Sequence, residues 1–266
     1  MTKKLIINSD DYGRTPDVSR GIRYCHLNGI VTSTTCMMNI PTTAADIAVA
    51  LKETPKLGLG VHLVLTADAP ILPPEKVKTL VDAQGNFLKQ GKLIERINAV
   101  DPAEAKAEWH AQITAFVKAA GKKPTHLDSH HHSSYFSPAL FRAMLELAQE
   151  FDCGIRLPVA VGESDVRGYP AGLTQSMLAE FKPRSTTAFF DDFYDEGATR
   201  DGLIALLNRM GEGSYEIMCH PGYTDGLAAI TSYAAQRETE LAVLTDPEVR
   251  AAIESRGINL ISFAEL

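Results

Sequence analysis

Long apolar runs and clusters of basic residues are both missing from this 266-residue sequence. No apolar stretch approaches the roughly 20 residues of a membrane-spanning helix, so we expect a soluble protein without a membrane partner. The net charge is −7, and without a basic run the chain lacks the electrostatic footprint for nucleic acid or anionic lipid. Internal repeats and low-complexity tracts are absent as well, which leaves one ordinary globular domain as the expectation.

Cysteine is scarce, and its four residues are scattered through the sequence without a CxxC pair. This distribution fits a reducing compartment better than a disulfide framework. The N-terminal residues, MTKKLIINSDDYG, turn polar too early for a signal peptide. We therefore expect a cytoplasmic protein.

Apolar segments without polar alternation recur along the chain and predict strands that are covered on both faces. They lie at about residues 4–9, 31–38, 57–65, 125–130, 154–158, 187–190, 215–219 and 258–262. Helical signals lie between them; the clearest is 101–121, where Asp101 and Pro102 fit a helix start and Gly121 a helix end. This alternation predicts an α/β fold, a TIM-like (β/α) barrel of residues 1–266, closed or incomplete.

Two further local features refine this fold. Asp17 or Ser19 is expected to cap a helix that stops at Gly29. Residues 66–100 break the alternation with several prolines and a turn at 83–86. This segment reads as an insertion after the third strand, and on the carboxyl face of the barrel it would form a lid or a substrate wall.

Four of the apolar segments end in residues that can bind a metal or transfer a proton. The segments are KKLIINSDDYG, LGLGVHL, PTHLDSHHH and YEIMCHPG. Because the carboxyl ends of parallel strands meet on one face of a barrel, their polar residues can come together despite their separation in sequence. The residues in question are Asp10, Asp11, His62, His130 and His220.

Each of these motifs also has an ordinary structural interpretation. Asp10 and Asp11 suit the cap of a turn, and His62 suits a core histidine bonded to a backbone carbonyl. The histidine-rich segment 126–132 suits a solvated loop. Their combination favours another interpretation, because two histidines and a carboxylate leave open positions for water and substrate on a catalytic metal. We therefore predict a metallohydrolase site.

Neighbouring residues extend the candidate set. In an extended chain the even positions of 126–132 share a face, so Asp128 can support a metal-binding His130 or form a salt bridge elsewhere. Arg156 can orient a carboxylate through two parallel hydrogen bonds, or neutralise Asp152 or Glu163 on the surface. No role is predicted for the remaining candidates, His131, His132, Asp191 and Asp192.

The strand-end motifs together resemble those of the YdjC-like carbohydrate deacetylases, which include chitooligosaccharide deacetylases. The matching segments are NSDDYG, GIVTSTT at 29–35, GVHLVLT at 60–66, KPTHLDSHHH at 123–132 and EIMCHPG at 216–222. The resemblance covers nearly the whole chain. It implies a glycoside hydrolase/deacetylase barrel, a hydrolase that removes acetyl groups from N-acetylglucosamine oligosaccharides, a place in chitin degradation, and Mg²⁺ as the ion.

The resemblance also implies roles for individual residues. Asp11, His62 and His130 would bind the metal, and Asp10 would be the base and His220 the acid. Arg156 would orient Asp10, by similarity to the wider polysaccharide deacetylases. Asp10 and Asp11 then have to point in different directions, which the Tyr12–Gly13 turn would permit. Family members often carry Val-His after the triple histidine, where this chain has Ser133–Ser134, so the substrate preference stays open.

Several alternatives remain at this point. The ligand set also suits Zn²⁺, Co²⁺ or iron. A sugar isomerase or glycosidase on the same barrel would use paired carboxylates, and a non-catalytic sugar sensor would keep only the binding site. The sugar, its length and the choice between N- and O-acetyl groups are not readable from the residues, and a homodimer is the default assembly only because dimers are the commonest.

Overall fold

The computed structural model describes residues 2–163 and 173–266, along which strands and helices alternate. The strands are β1 (Lys3–Tyr12), β2 (Ser33–Cys36), β3 (Gly58–Leu63), β4 (His126–Ser129), β5 (Gly154–Ile155), β6 (Ala188–Phe190), β7 (Gly213–Cys219) and β8 (Ile258–Leu260). The helices are α1 (Pro16–Asn28), α2 (Thr43–Glu53), α3 (Gln90–Glu95), α4 (Pro102–Ala120), α5 (Pro138–Phe151), α6 (Leu173–Phe181), α7 (Arg200–Arg209), α8 (Ala235–Leu244) and α9 (Pro247–Ser255). Each apolar segment named from the sequence overlaps one of these strands, although β1 and β7 extend beyond the segments at 4–9 and 215–219.

The strands form one parallel sheet in the order β5-β4-β3-β2-β1-β7-β6, and β8 pairs with the first residues of β1. The two edges of this order, β5 and β6, do not pair with each other as strands in the described residues; backbone hydrogen bonds from Phe189 to Val159 at 2.9 Å and from Ile155 to Arg184 at 2.8 Å join the chain around them. The sheet is therefore an incomplete barrel, which confirms the predicted fold class. No helix of the described ranges has the length and apolar character to cross a membrane.

The two faces of β1 pack against different surroundings. Leu5 and Ile7 belong to the large apolar core, whereas Ile6 packs with Ile261 and Phe263 in a separate small cluster. Because successive side chains of a strand point to opposite faces, Asn8 lies on the same side as Ile6. On the side of β1 that carries Ile6 and Asn8, the surroundings therefore change along the strand from apolar to polar side chains.

The helix starts follow local capping chemistry, with one difference from expectation. Asp101 accepts a hydrogen bond from Ala103 at the start of α4, and Gly121 ends that helix with a left-handed φ of 66°, as predicted. The cap of α1 is Thr15, whose side chain accepts from Val18. The prediction of Asp17 or Ser19 was wrong because both residues lie inside the first turn, after Pro16.

The segment 66–100 is attached to α4 by side chains of that helix. Glu108 accepts hydrogen bonds from the backbone N–H groups of Ile71 and Leu72, both at 2.9 Å. Gln112 bonds both the N–H and the carbonyl of Val64, also at 2.9 Å. The segment also contributes buried side chains to the main core, namely Val77, Leu80, Phe87 and Leu93.

Candidate metal and catalytic site

A cavity of about 690 Å³ opens where the strands end. It is lined by residues at or just after the carboxyl ends of β1, β3, β4, β6 and β7, by residues 89–91 of the 66–100 segment, and by residues 230–233 before α8. The structure brings together in this lining all five strand-end candidates: Asp10, Asp11, His62, His130 and His220.

Asp10 and Asp11 point in different directions because the backbone of β1 is irregular at this point. Asp11 has a φ of 68°, a left-handed conformation that costs a non-glycine residue about 1–3 kcal/mol. The register between β1 and β2 also shifts between Ser9 and Tyr12. The strand continues through Tyr12, so the two carboxylates already diverge within β1, before the Tyr12–Gly13 turn.

Asp11 lies between two histidines. Its Oδ1 is 3.1 Å from His130 Nδ1 and 3.4 Å from His62 Nε2. This buried oxygen faces both ring nitrogens without a hydrogen bond of good geometry to either, an arrangement in which all three side chains could bind one ion. The three residues thus form a candidate metal site whose ligand atoms lie within 4.8 Å of one another.

A second candidate group, Asp10, His62 and Asp128, also meets this distance in the described residues. Its carboxylates are already engaged, because Asn8 donates to both of them, at 3.0 and 3.2 Å, and Arg156 contacts both. The group that contains Asp11 therefore fits an ion better.

The ring of His62 is oriented by polar contacts to its Nδ1 atom. Its Nδ1 lies 2.7 Å from Asp128 Oδ1 and 3.2 Å from the Thr35 hydroxyl, which leaves Nε2 facing Asp11. Burial lowers the pKa of His62, but the carboxylates of Asp128 and Asp11 outweigh this effect and raise it to about 10. The carboxylates around His62 therefore favour a positive charge at this position.

Arg156 lies fully buried beneath the cavity. Its two Nη atoms each donate to Asp10 at 2.7 Å, its Nε donates to Glu216 at 2.8 Å, and Asp128 lies 3.1 Å away. The structure thereby excludes the alternative of a surface ion pair with Asp152, which instead lies beside Lys123 and Arg184.

This arginine controls the acidity of the carboxylates around it. Burial alone would raise the pKa of Asp10, but Arg156 holds it well below its ordinary value. Glu216 shares the same guanidinium, and burial nevertheless raises its pKa to about 7. Asp10 therefore stays ionised at neutral pH.

His220 stands at the rim beside Asp10, with its Nε2 3.8 Å from Asp10 Oδ2. Its backbone N–H donates to Glu240, and its Nδ1 is buried without a hydrogen-bond partner. Burial lowers the pKa of His220 to about 4, although Asp10 and Asp11 act in the opposite direction. The imidazole is therefore neutral at pH 7.

Two site residues were missed by the sequence interpretation. Arg237 on α8 donates through Nη2 to Asp11 Oδ2 at 2.5 Å, while its Nη1 is buried without a hydrogen-bond partner. Nothing local in the helix marks this arginine, since its partner is 226 positions away. Asn8, by contrast, opens the NSDDYG motif and could have been found there.

The remaining histidines of the triple run have other surroundings. The strand parity expected for 126–132 ends at Ser129, because His131 and His132 both adopt left-handed φ values, 54° and 56°. His131 Nδ1 lies 3.0 Å from the Thr66 hydroxyl of the 66–100 segment. His132 packs edge-on against Phe189.

Two pairs of adjacent residues singled out in the sequence, Asp191–Asp192 and Ser133–Ser134, lie in different surroundings. Asp191 lines the cavity, whereas Asp192 is 3.0 Å from Arg209 on the surface. Ser133 and Ser134, the departure from the common family pattern, are both buried, and Ser134 bonds the Ser129 hydroxyl at 2.7 Å. Neither serine belongs to the described lining of the cavity.

Comparison with known proteins identifies the family. The sequence model of the YdjC-like protein family matches residues 4–255. The chain belongs to the YdjC-like family. It is 38% identical to a carbohydrate deacetylase of Clostridium beijerinckii over 99% of this chain and 100% of the relative. It is also 33% identical to a chitooligosaccharide deacetylase of Yersinia enterocolitica over all of both chains.

A solved structure of another protein has a similar sequence and the same fold. It is a proposed cellobiose-phosphate cleavage protein of Enterococcus faecalis, 35% identical in sequence, with a TM-score of 0.90 over 100% of this chain and 99% of that one. This YdjC-like chain therefore shares its whole architecture with a relative of known structure.

Proposed function

We propose that this YdjC-like protein is a metal-dependent hydrolase that removes acetyl groups from N-acetylated sugars. The observation that carries the proposal is the convergence of the buried Asp11 Oδ1 with ring nitrogens of His62 and His130, next to Asp10 and His220 in one cavity. The names of the relatives supply the substrate class, and N-acetylglucosamine oligosaccharides such as chitooligosaccharides are the proposed substrates.

Asp11, His62 and His130 would hold the divalent ion. When bound there, such an ion supplies a Lewis acid for the acetamide carbonyl and lowers the pKa of a coordinated water. Asp128 orients His62 through Nδ1, so that Nε2 remains the coordinating atom. By family resemblance the ion is Mg²⁺, while the two imidazoles suit Zn²⁺ or Co²⁺ equally well by ligand chemistry.

Asp10 acts as the base. The two hydrogen bonds from Arg156 fix the orientation of its carboxylate and keep it ionised, ready to accept the proton of the attacking water. The same hydrogen bonds make Asp10 a weak base, because they stabilise its charged form. Protonated Asp10 is therefore acidic and readily gives up the proton that it has accepted.

His220 delivers that proton to the departing amine. The imidazole is neutral at pH 7, so it donates only a proton that it has received during the reaction. Asp10 Oδ2, 3.8 Å from Nε2, is the group positioned to pass it on. Without this protonation the sugar amine is a poor leaving group.

One assay tests this function against its alternatives. Acetate release is measured over a panel of N-acetylated and O-acetylated sugars, and the bound metal is quantified in the same samples. Release from N-acetylglucosamine oligomers supports the proposal. Sugar interconversion without acetate release would instead favour an isomerase, and binding without turnover would favour a sensor.

A first prediction concerns His220. His220→Ala should retain metal and acetylated sugar binding yet lose roughly 100-fold or more in kcat on the oligosaccharide, the usual contribution of a positioned proton donor. The loss should be smaller for an activated acetyl ester, whose leaving group departs without protonation. His110→Ala, an exposed histidine on α4, serves as the control. Equal losses on amide and ester would contradict the assigned role.

We further propose that the 66–100 segment forms a fixed wall of the substrate cavity within a single domain, rather than a swinging lid. Its attachment to α4 through Glu108 and its buried side chains support this view. Glu108→Ala leaves two partly buried N–H groups without these acceptors, so it should lower the free energy of unfolding by about 1 kcal/mol. Hydrogen exchange at residues 71 and 72 should accelerate relative to exchange in α5. Unchanged hydrogen exchange at residues 71 and 72 would contradict the proposal that the segment is a fixed wall.

A further inference from the structure

Two tyrosines beside His220 have no role in the proposed reaction. The rings of Tyr194 and Tyr233 stack with centroids 4.3 Å apart and planes inclined by only 6°. The ring of His220 meets both edge-on, at centroid distances of 5.6 Å and 5.8 Å. All three side chains line the cavity, so the stacked pair forms a wall next to the proposed proton donor.

This aromatic pair is held rigidly. The hydroxyl of Tyr233 donates to Glu240 at 2.5 Å and accepts the backbone N–H of Asp195 at 2.9 Å. Asp195 directly follows Tyr194, so the second hydrogen bond ties the chain carrying Tyr194 to the ring of Tyr233. Glu240 also accepts the backbone N–H of His220. One buried carboxylate therefore fixes both the aromatic pair and the strand end that presents His220.

The exposure of Tyr194 suggests what this rigid wall contacts. The residue is 43% exposed although Tyr233 stacks on its ring, and Ile230 in the same cavity lining is 50% exposed. Large apolar side chains that are exposed together in a polar-rimmed cavity indicate a ligand surface. The ligand must offer a flat apolar face together with polar edges. The C–H face of a pyranose ring has this form.

We propose that Tyr194, backed by Tyr233, stacks against the pyranose ring that carries the departing amine. The inference rests on the proposed deacetylase function, because His220 must reach the nitrogen attached to that ring. A ring bonded to this nitrogen lies within a few ångströms of the imidazole, and in the described ranges the aromatic rings in contact with that imidazole are those of the two tyrosines. The contact holds the sugar while its acetyl group points to Asp11, His62 and His130.

The test compares substrates with and without a sugar. Tyr194→Ala should raise KM for an N-acetylglucosamine oligomer about 10-fold, the order of a lost stacking contact. It should leave hydrolysis of trifluoroethyl acetate, an activated ester without a ring, within about twofold of the wild type. Tyr194→Phe should behave like the wild type on both substrates, because the ring and not the hydroxyl makes the contact. Tyr24→Ala, an equally exposed tyrosine on α1 at 42%, is the matched control.

Two results would overturn the proposal: an unchanged KM for the oligomer, or an equal loss on the ester, which would mean that Tyr194 only supports His220. Calorimetric binding of a deacetylated glucosamine oligomer separates this failure from failure of the proposed function. If the wild type releases no acetate from any sugar, binding that is lost in Tyr194→Ala still supports the stacking contact. Equal binding by both proteins, or binding by neither, refutes it.

Discussion

Asp11→Asn should cost the protein both its metal and its activity. The substitution replaces the charged oxygen between His62 and His130 with a neutral amide and removes the partner of Arg237. A metal contributes several kcal/mol of transition-state stabilisation, so turnover should fall by about 1,000-fold or more. Metal content after dialysis and acetate release from an N-acetylglucosamine oligomer are the two measurements.

Three comparisons sharpen this experiment. Asp192→Asn, a change of the same kind at a surface aspartate paired with Arg209, should retain metal and activity. Alanine substitutions of His62 and His130 should reproduce the metal loss of Asp11→Asn. Chelation of the wild type should abolish turnover reversibly, with recovery on adding back Mg²⁺, Zn²⁺ or Co²⁺ identifying the ion that works best. Full metal occupancy in all three ligand variants would show that the ion binds elsewhere.

The sequence was sufficient to bring the candidate residues of one cavity together, because that information is local. Apolar segments identify strands, and the first polar residues after a buried strand lie at the end of the barrel where strands converge. Asp10, His62, His130 and His220 could be named on this basis alone. Arg156 could be named as a candidate, since it ends one such segment, but the choice between Asp10 and a surface acid needed the structure.

The partners that lie far apart in sequence could not be predicted from these patterns. Arg237 sits in an unremarkable stretch of α8, and only the packing of that helix against the end of β1 brings it to Asp11. The stacking of Tyr194 on Tyr233 likewise depends on two separate loops meeting. Such contacts are set by the tertiary fold, which no single segment encodes.

The strained backbone conformations could not be predicted from the sequence either. Asp11, His131 and His132 all adopt positive φ values, which are uncommon outside glycine although Asp and His adopt them more often than most other residues. Glycine signals such a conformation most clearly in a sequence, and Gly13 does adopt one, with a φ of 91°, but nothing in the sequence marks Asp11. Strained non-glycine residues persist where the surrounding structure fixes them, and they gather at functional sites. The direction of Asp11 is a consequence of this constraint.

Asp10→Asn should give the opposite combination to Asp11→Asn: metal retained and turnover lost. The amide keeps the shape of the side chain but cannot accept the proton of the attacking water. It also removes the charge that Arg156 binds through both Nη atoms, although Glu216 and Asp128 still surround that arginine. We expect kcat to fall by about 100- to 10,000-fold, the usual contribution of a general base.

The pairing of the two aspartate variants distinguishes base from ligand more sharply than either variant alone. The carboxylates are adjacent in sequence and equally buried, so a general disturbance of the strand end would affect metal and turnover alike in both. Loss of a base should instead lower turnover and leave the metal bound, whereas loss of a ligand should lower both. Because Asp10 engages Arg156, thermal unfolding of Asp10→Asn should be followed to exclude loss of fold. A near-normal kcat would refute the base, and metal loss matching that of Asp11→Asn would make Asp10 a ligand as well.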